Sequence, residues 1–204
     1  MNNEQVIKDI HYATNLAKAG QQAPLVGGPI GLMWGVLLSV TLLSHWGIVT
    51  GKLGLETYYL GYLWVGFAVI GSIFSAFLGA RMKKKTAISS TANQIEQAVW
   101  ILFAIMLGCF WVGISLSMLI GVGTPALFDF VPVAGFGGQG LAYGVTARMS
   151  HNKWLYWPSA AAFIASIVCL TAFSQPHFYL IASVATILTV VLPSLKTIEL
   201  EHVD

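Results

Sequence analysis

Charge is what this sequence has least of. Only 9% of its 204 residues are Asp, Glu, Lys or Arg, while 56% are hydrophobic. A soluble domain carries about 25% charged residues. The shortage excludes a disordered chain and an ordinary soluble enzyme. A net charge of +2 gives no electrostatic grip on nucleic acid. Cysteine is nearly as scarce. Cys109 and Cys169 both lie in apolar runs and read as small buried hydrophobes, not as a disulfide. No CxxC or HxxxH spacing exists, so no metal site is expected, and no cofactor. GxSxG, HExxH and Walker patterns are missing, which argues against an enzyme and against an ATP-driven pump built from this chain alone. No lysine lies mid-run for a retinal-type Schiff base, and no pair of deep histidines could hold a haem. No cleavable signal peptide is visible, so the first apolar run is expected to stay in the mature protein.

What is present is apolar length. Mean hydropathy is +0.75. Six runs, at 28–48, 58–80, 97–120, 128–147, 157–173 and 176–195, match the roughly 17–25 helical residues that cross a bilayer. They are continuous, not alternating, so they predict helices and not barrel strands. The expected fold is an all-α membrane protein with six transmembrane helices. Gly51 and Gly54, then Gly121, Gly123 and Pro125, then Ser174-Gln175-Pro176 mark turns, and Pro193 marks the end of the sixth run. With the N-terminus inside, nine cations face the cytoplasm: Lys8, Lys18, Arg81, Lys83, Lys84, Lys85, Arg148, Lys153 and Lys196. Lys52 alone faces out. This asymmetry predicts two cytoplasmic termini, and compactness suggests a bacterial inner membrane. Trp46, Tyr58, Tyr59 and Tyr62 fall at the outer interface, and Trp154, Tyr156 and Trp157 at the inner one, as belt anchors.

Residues 1–26 form a separate cytoplasmic element. Val6, Ile10, Ala13 and Ala17 share one helical face, Asn2 or Asn3 could cap it, and the whole predicts an N-terminal interfacial amphipathic helix. Residues 27–195 form the six-helix bundle and 196–204 a short tail. Small residues recur every fourth position: Gly27, Gly31 and Gly35; Gly71, Ser75 and Gly79; Gly113, Ser117 and Gly121; Gly140 and Gly144. Such spacing favours close helix contacts or a homo-oligomer.

The fourth run is unusual. It combines Asp129, Pro132, Gly135, Gly137, Gly138, Gln139 and Gly140. The glycines match GxGxxG, but no strand or soluble βαβ unit surrounds them, so dinucleotide binding is rejected. Proline and glycine together could kink or unwind the helix, as at transporter binding sites, or simply let a neighbour approach. Asp129, Pro132, Gly137, Gly138 and Gln139 are therefore the candidate transport path. Asp129 is a functional candidate as an ionisable group near hydrocarbon, or a cap on its helix. Gln139 could line a polar path or bond a neighbouring helix. His45, Glu56 and His177 form a candidate outer-face polar cluster beside Asp129, with solvated interface residues as the alternative.

Gln22-Ala23-Pro24-Leu25, followed by Pro29-Ile30-Gly31-Leu32-Met33, resembles the Asn-Pro-Ala-Pro-Leu-Gly-Leu opening of the acetate–succinate uptake family. The Asn-Pro is absent here and Val26-Gly27-Gly28 interrupts the order. The resemblance implies a six-helix, homo-oligomeric pore for small carboxylates and transfers no binding residue. The wider layout, with Trp34-Gly35 in the first run and Leu192-Pro193 ending the sixth, is similar to small uncharacterised bacterial six-span membrane proteins. Two functions follow as expectations. One is a small-solute channel or transporter acting as a homo-oligomer. The other is an accessory or regulatory subunit of a larger membrane complex, bound to membrane partners. Neither needs nucleic acid, and both need the lipid bilayer.

Overall fold

A backbone removed from water must satisfy its own polar groups, and helices do so within one segment. Every regular element among the described residues is accordingly helical. The computed structural model describes Gln5, Ile7, Lys8, Ile10, His11, Leu25 and residues 27–82 and 90–201. Helix α1 is Gly28–Val49, α2 Tyr59–Met82 and α3 Thr91–Leu119. A 3₁₀ turn, Pro125–Asp129, leads into α4, Phe130–Ser150. A second, Lys153–Leu155, leads into α5, Tyr156–Thr171. The last span is composite: α6 Phe178–Thr186, a π turn Ile187–Val191, and α7 Leu192–Glu201.

Five stretches are long and apolar enough to cross a membrane by length and composition: Gly28–Val49, Tyr59–Met82, Thr91–Leu119, Lys153–Thr171 and Phe178–Glu201. They are compatible with a multi-pass membrane protein. The expected fourth span, α4, is not among them. Its 21 residues are long enough, since about 20 helical residues cover the hydrocarbon. Its glycines, Gln139 and Arg148 dilute its apolar character instead.

Local chemistry explains the boundaries. Ser90 caps α3, its Oγ accepting from Asn93 N–H at 3.3 Å and Asn93 Nδ2 at 2.9 Å. The helix therefore starts at Thr91, not at the expected 97, and carries Glu96 inside it. Gly121, at φ +79°, turns the chain out of α3, which a side chain would oppose. Pro132 is the third residue of α4, where the first-turn nitrogens have no helical partner to lose. The helix runs unbroken through it and through the glycines.

Pro193 does not end the sixth span. The helix continues from Leu192 to Glu201, so there is no helical break at the expected start of the tail. A proline N carries no hydrogen for the carbonyl four residues earlier, here that of Thr189. The π turn lies immediately before it.

The core is built from α1, α4, α5 and the composite last helix, Phe178–Glu201. Leu42, Val133, Phe136, Cys169, Phe178 and Ala182 interlock at the end where α4 and α6 begin. Leu25, Ala92, Tyr143, Ala147 and Leu155 do so at the other end. Small residues set the close approaches. A Cβ on Gly31 would meet Ser194, and one on Gly35 the Val190 and Val191 side chains. One on Gly140 would meet the Phe163 ring at 2.9 Å. Helix α2 joins this core through Trp34, whose indole covers Gly71 and donates to Ser75 Oγ at 2.8 Å. Helix α3 joins it through Phe103 and Met106 against Gly138, and through Trp100 against Tyr143. Gly79 and Gly113 of the expected packing stripes face open space. Cys109 is exposed, not buried as expected, because it lies on the outward side of α3; Cys169 is buried.

Of the expected N-terminal interfacial helix, Gln5, Ile7, Lys8, Ile10 and His11 are helical and exposed. Asn2, Asn3, Val6, Ala13, Ala17 and Lys18 lie outside the described residues, as do Gln22, Ala23, Pro24, Val26 and the basic run Lys83-Lys84-Lys85. Arg81, Arg148, Lys153 and Lys196 sit at one end of the bundle and Lys52 at the other.

Candidate functional site: two carboxylate–tyrosine pairs along α4

Helix α4 carries polar groups from one end of the bundle to the other. At its start the Pro125–Asp129 turn brings Asp129 inward, where it is buried at 9% exposure. Tyr179, one residue into α6, donates its hydroxyl to Asp129 Oδ1 at 2.6 Å. The Tyr179 ring stacks on His45 of α1, with centroids 3.5 Å apart and planes at 16°. His45 Nδ1 accepts from Trp64 Nε1 of α2 at 3.1 Å. An accepting Nδ1 leaves the proton of a neutral imidazole on Nε2. Four elements thus meet in one sequence of contacts, Asp129–Tyr179–His45–Trp64.

The outer-face cluster is divided by this arrangement. His45 and Asp129 come together, bridged by Tyr179. His177, two residues before Tyr179, bonds elsewhere, its Nδ1 accepting from Trp46 Nε1 at 3.2 Å on the exposed side. Glu56 is exposed in the loop between α1 and α2 and is not joined to the others. Among the described residues, no group of three or more His, Cys, Asp and Glu side chains could hold a metal ion.

Midway along α4, Gln139 is buried at 4% exposure. Its Nε2 donates to the Thr189 carbonyl at 2.7 Å, the group that Pro193 leaves without a helical donor. The remaining path candidates have packing roles in the same helix. Gly138 receives Phe103 and Met106 of α3, and Gly137 lies opposite Ser166 of α5. Ser159 and Ser166 of α5 donate to the Gly140 and Val133 carbonyls, at 2.6 and 2.8 Å, drawing α5 against this surface. Pro132 is half-buried in the first turn.

One turn further, the Tyr143 hydroxyl faces the Gln139 amide, and the Glu96 carboxylate of α3 lies within electrostatic reach of it. Gly27, just before α1, donates its N–H to Glu96. Its α-carbon comes so close that a Cβ there would stand 2.9 Å from Glu96 Oε2. Among the described residues no lysine or arginine pairs with Glu96. Glu96 and Tyr143 thus stand near each other toward the far end of α4, without the direct hydrogen bond that joins Tyr179 to Asp129. The Val133 and Phe136 side chains, within the apolar cluster, separate the outer pair from Gln139.

Glu96, Tyr143 and Tyr179 were not singled out from sequence. Hydropathy alone puts the start of the third span after Glu96. The Ser90 cap is the sequence signal that would have moved that start back and placed the acid inside the helix. No sequence signal pairs Tyr179 with Asp129, which stand 50 residues apart.

The fold is thus that of a helical chain with five helices long and apolar enough to span a membrane and a polar seam along a sixth. No protein-family model, curated protein or solved structure matches the chain.

Proposed function

We propose that this chain is a six-span transporter or channel for small solutes, acting as a homo-oligomer in a bacterial inner membrane with both termini in the cytoplasm. The observation that carries the reading is Glu96, a carboxylate within α3 that has the Gly27 N–H and the Tyr143 hydroxyl for neighbours and no described cation. An ionisable group within an apolar span is costly, and where it persists it commonly serves an ion or substrate path. A scarcity of buried acids would argue against ion coupling. Glu96 and the buried Asp129 answer that objection from either end of α4. Gln139 and the Thr189 carbonyl form the polar crossing between them. The cation asymmetry between the two ends supports cytoplasmic termini, and α4 fits as the sixth span because its polar face turns to the core. The reading assigns no catalytic residue and needs no cofactor.

The resemblance to the acetate–succinate uptake family chooses the first solutes to try. The full chain is reconstituted in liposomes, and uptake of radiolabelled acetate and succinate is followed beside an internal pH dye. Transport in the wild type, reduced about tenfold or more by Glu96→Gln with assembly intact, supports the reading. Transport that is untouched by Glu96→Gln and by Asp129→Asn would remove these residues from any path.

A second reading, an accessory subunit of a larger membrane complex, rests on a different observation. Gly61, Gly66, Gly79, Gly108 and Gly113 on α2 and α3 have nothing near the position a Cβ would take. Open small-residue faces suit another helix, from a second copy or from a partner. Co-purification from native membranes separates these: a stoichiometric second protein, lost when residues 1–18 are deleted, favours the subunit.

A further inference from the structure

The end of the bundle that carries Arg81, Arg148, Lys153 and Lys196 also carries a groove of about 430 Å³ between the start of α5 and α7. Its floor is apolar, made by Leu192 and Pro193, and its walls are Trp154, Trp157 and Lys196. The Lys196 ammonium stands 5.3 Å from the Trp154 ring centroid, a cation–π contact that holds the charge at the groove's edge. Trp157 is 59% exposed. Among the described residues neither indole N–H, of Trp154 or of Trp157, meets a hydrogen-bond acceptor, and no carboxylate pairs with Lys196. The groove therefore offers one fixed positive charge and two free N–H donors above a hydrocarbon surface.

We propose that this groove is a binding site for one anionic phospholipid, its phosphate held by Lys196 and the two indoles and its acyl chain laid over Leu192 and Pro193. The charge and the donors call for an acceptor-rich anion. The floor calls for an attached apolar chain. An anionic phospholipid supplies both in one molecule, and a belt position puts its headgroup at the right depth. Simple anchoring by tryptophan needs neither a cleft nor a cation. A peptide side chain or a second copy would have to bring an anion and an aliphatic chain to the same place. The site does not depend on whether the protein transports anything.

The test uses the full chain, delipidated in a neutral detergent and examined by native mass spectrometry. It is titrated in separate runs with phosphatidylglycerol, phosphatidylcholine and inorganic phosphate. One phosphatidylglycerol per chain is expected to stay bound, with phosphatidylcholine and phosphate retained far less. Lys196→Gln should weaken retention about fivefold, the effect of one basic side chain near a charged lipid surface. Trp154→Phe with Trp157→Phe keeps the rings, removes both N–H donors and should weaken it further. Lys153→Gln, at a neighbouring exposed cation outside the groove, should leave it unchanged. Equal retention of the two lipids, or equal losses with Lys153→Gln and Lys196→Gln, overturns the proposal in favour of unspecific charge. Retention of phosphate as strong as that of phosphatidylglycerol overturns the lipid in favour of a free anion. A dimer that forms only with Lys196 intact, without bound lipid, assigns the groove to a second copy and also overturns it.

Discussion

Helices α2 and α3 and the sixth span are all strongly apolar, yet they sit in opposite surroundings. In its most apolar stretch α3 buries nothing and α2 only 6%, while the sixth span buries 44% and α1 39%. In water, helices as apolar as α2 and α3 would be hidden. Here they form the flanks, and the core contains hydroxyls, glycines and the Asp129, Gln139 and His45 side chains. The inversion follows from the solvent. Lipid chains are as apolar as leucine, so burying leucine gains little, and helices associate through close packing and hydrogen bonds instead. Trp34 over Gly71 and Phe163 over Gly140 are contacts of the first kind; Gln139 on the Thr189 carbonyl and Tyr179 on Asp129 are of the second.

The comparison can be broken at its strongest point first. Gly140→Leu would drive a branched side chain into the Phe163 ring between α4 and α5. It should cost about 1–3 kcal/mol, the usual range for overpacking a tight contact, read as a lower unfolding midpoint in mixed micelles. A smaller effect belongs to the polar crossing. Gln139→Leu should cost roughly 1 kcal/mol, because it orphans the Thr189 carbonyl. In a Pro193→Ala background that cost should shrink by half or more, since the restored N–H can serve the same carbonyl. A full, undiminished cost in the double variant would sever the link drawn between Pro193 and Gln139. The smallest effect is expected on the flank. Gly113 faces open space, so Gly113→Leu should move the unfolding midpoint by no more than about 0.5 kcal/mol equivalent. A large loss there would mean that α3 is covered in the assembled protein and would favour an oligomer or a partner on that face.

Much of this architecture is legible in the sequence. The helical class and the approximate places of the helices follow from continuous apolar runs. Tyr58, Tyr59 and Tyr62, expected as belt anchors, are exposed and in mutual ring contact at the start of α2. Boundaries were harder. Hydropathy begins the third span after Glu96, whereas Ser90 and Asn93 begin it at Thr91, because a cap satisfies backbone donors regardless of the hydropathy that follows. Pro193 reads as a stop, yet a side chain from another helix serves the carbonyl it strands, and the helix goes on. The same limitation applied to the candidate site. The composition of α4 drew attention to Asp129, Gln139 and the glycines, but a glycine in sequence does not reveal whether it loosens a helix or seats a neighbour. Here Gly138 and Gly140 seat Phe103 and Phe163, and α4 remains continuous.

Hydrophobicity is a local property of the chain, and by itself it determined that this protein is helical, roughly where its apolar helices lie, and which loops collect positive charge; it marked six runs where five helices are apolar enough to span a membrane. Partnership is not local. Which of the apolar helices lie at the centre, that Tyr179 reaches Asp129, that Tyr143 lies within electrostatic reach of Glu96 on another helix, and that Gln139 completes a backbone broken by a proline 54 residues later, were decided only when the helices packed. Those contacts depend on interhelical distances of a few ångströms, set by the small residues at each crossing, and the period of a single helix carries no record of them.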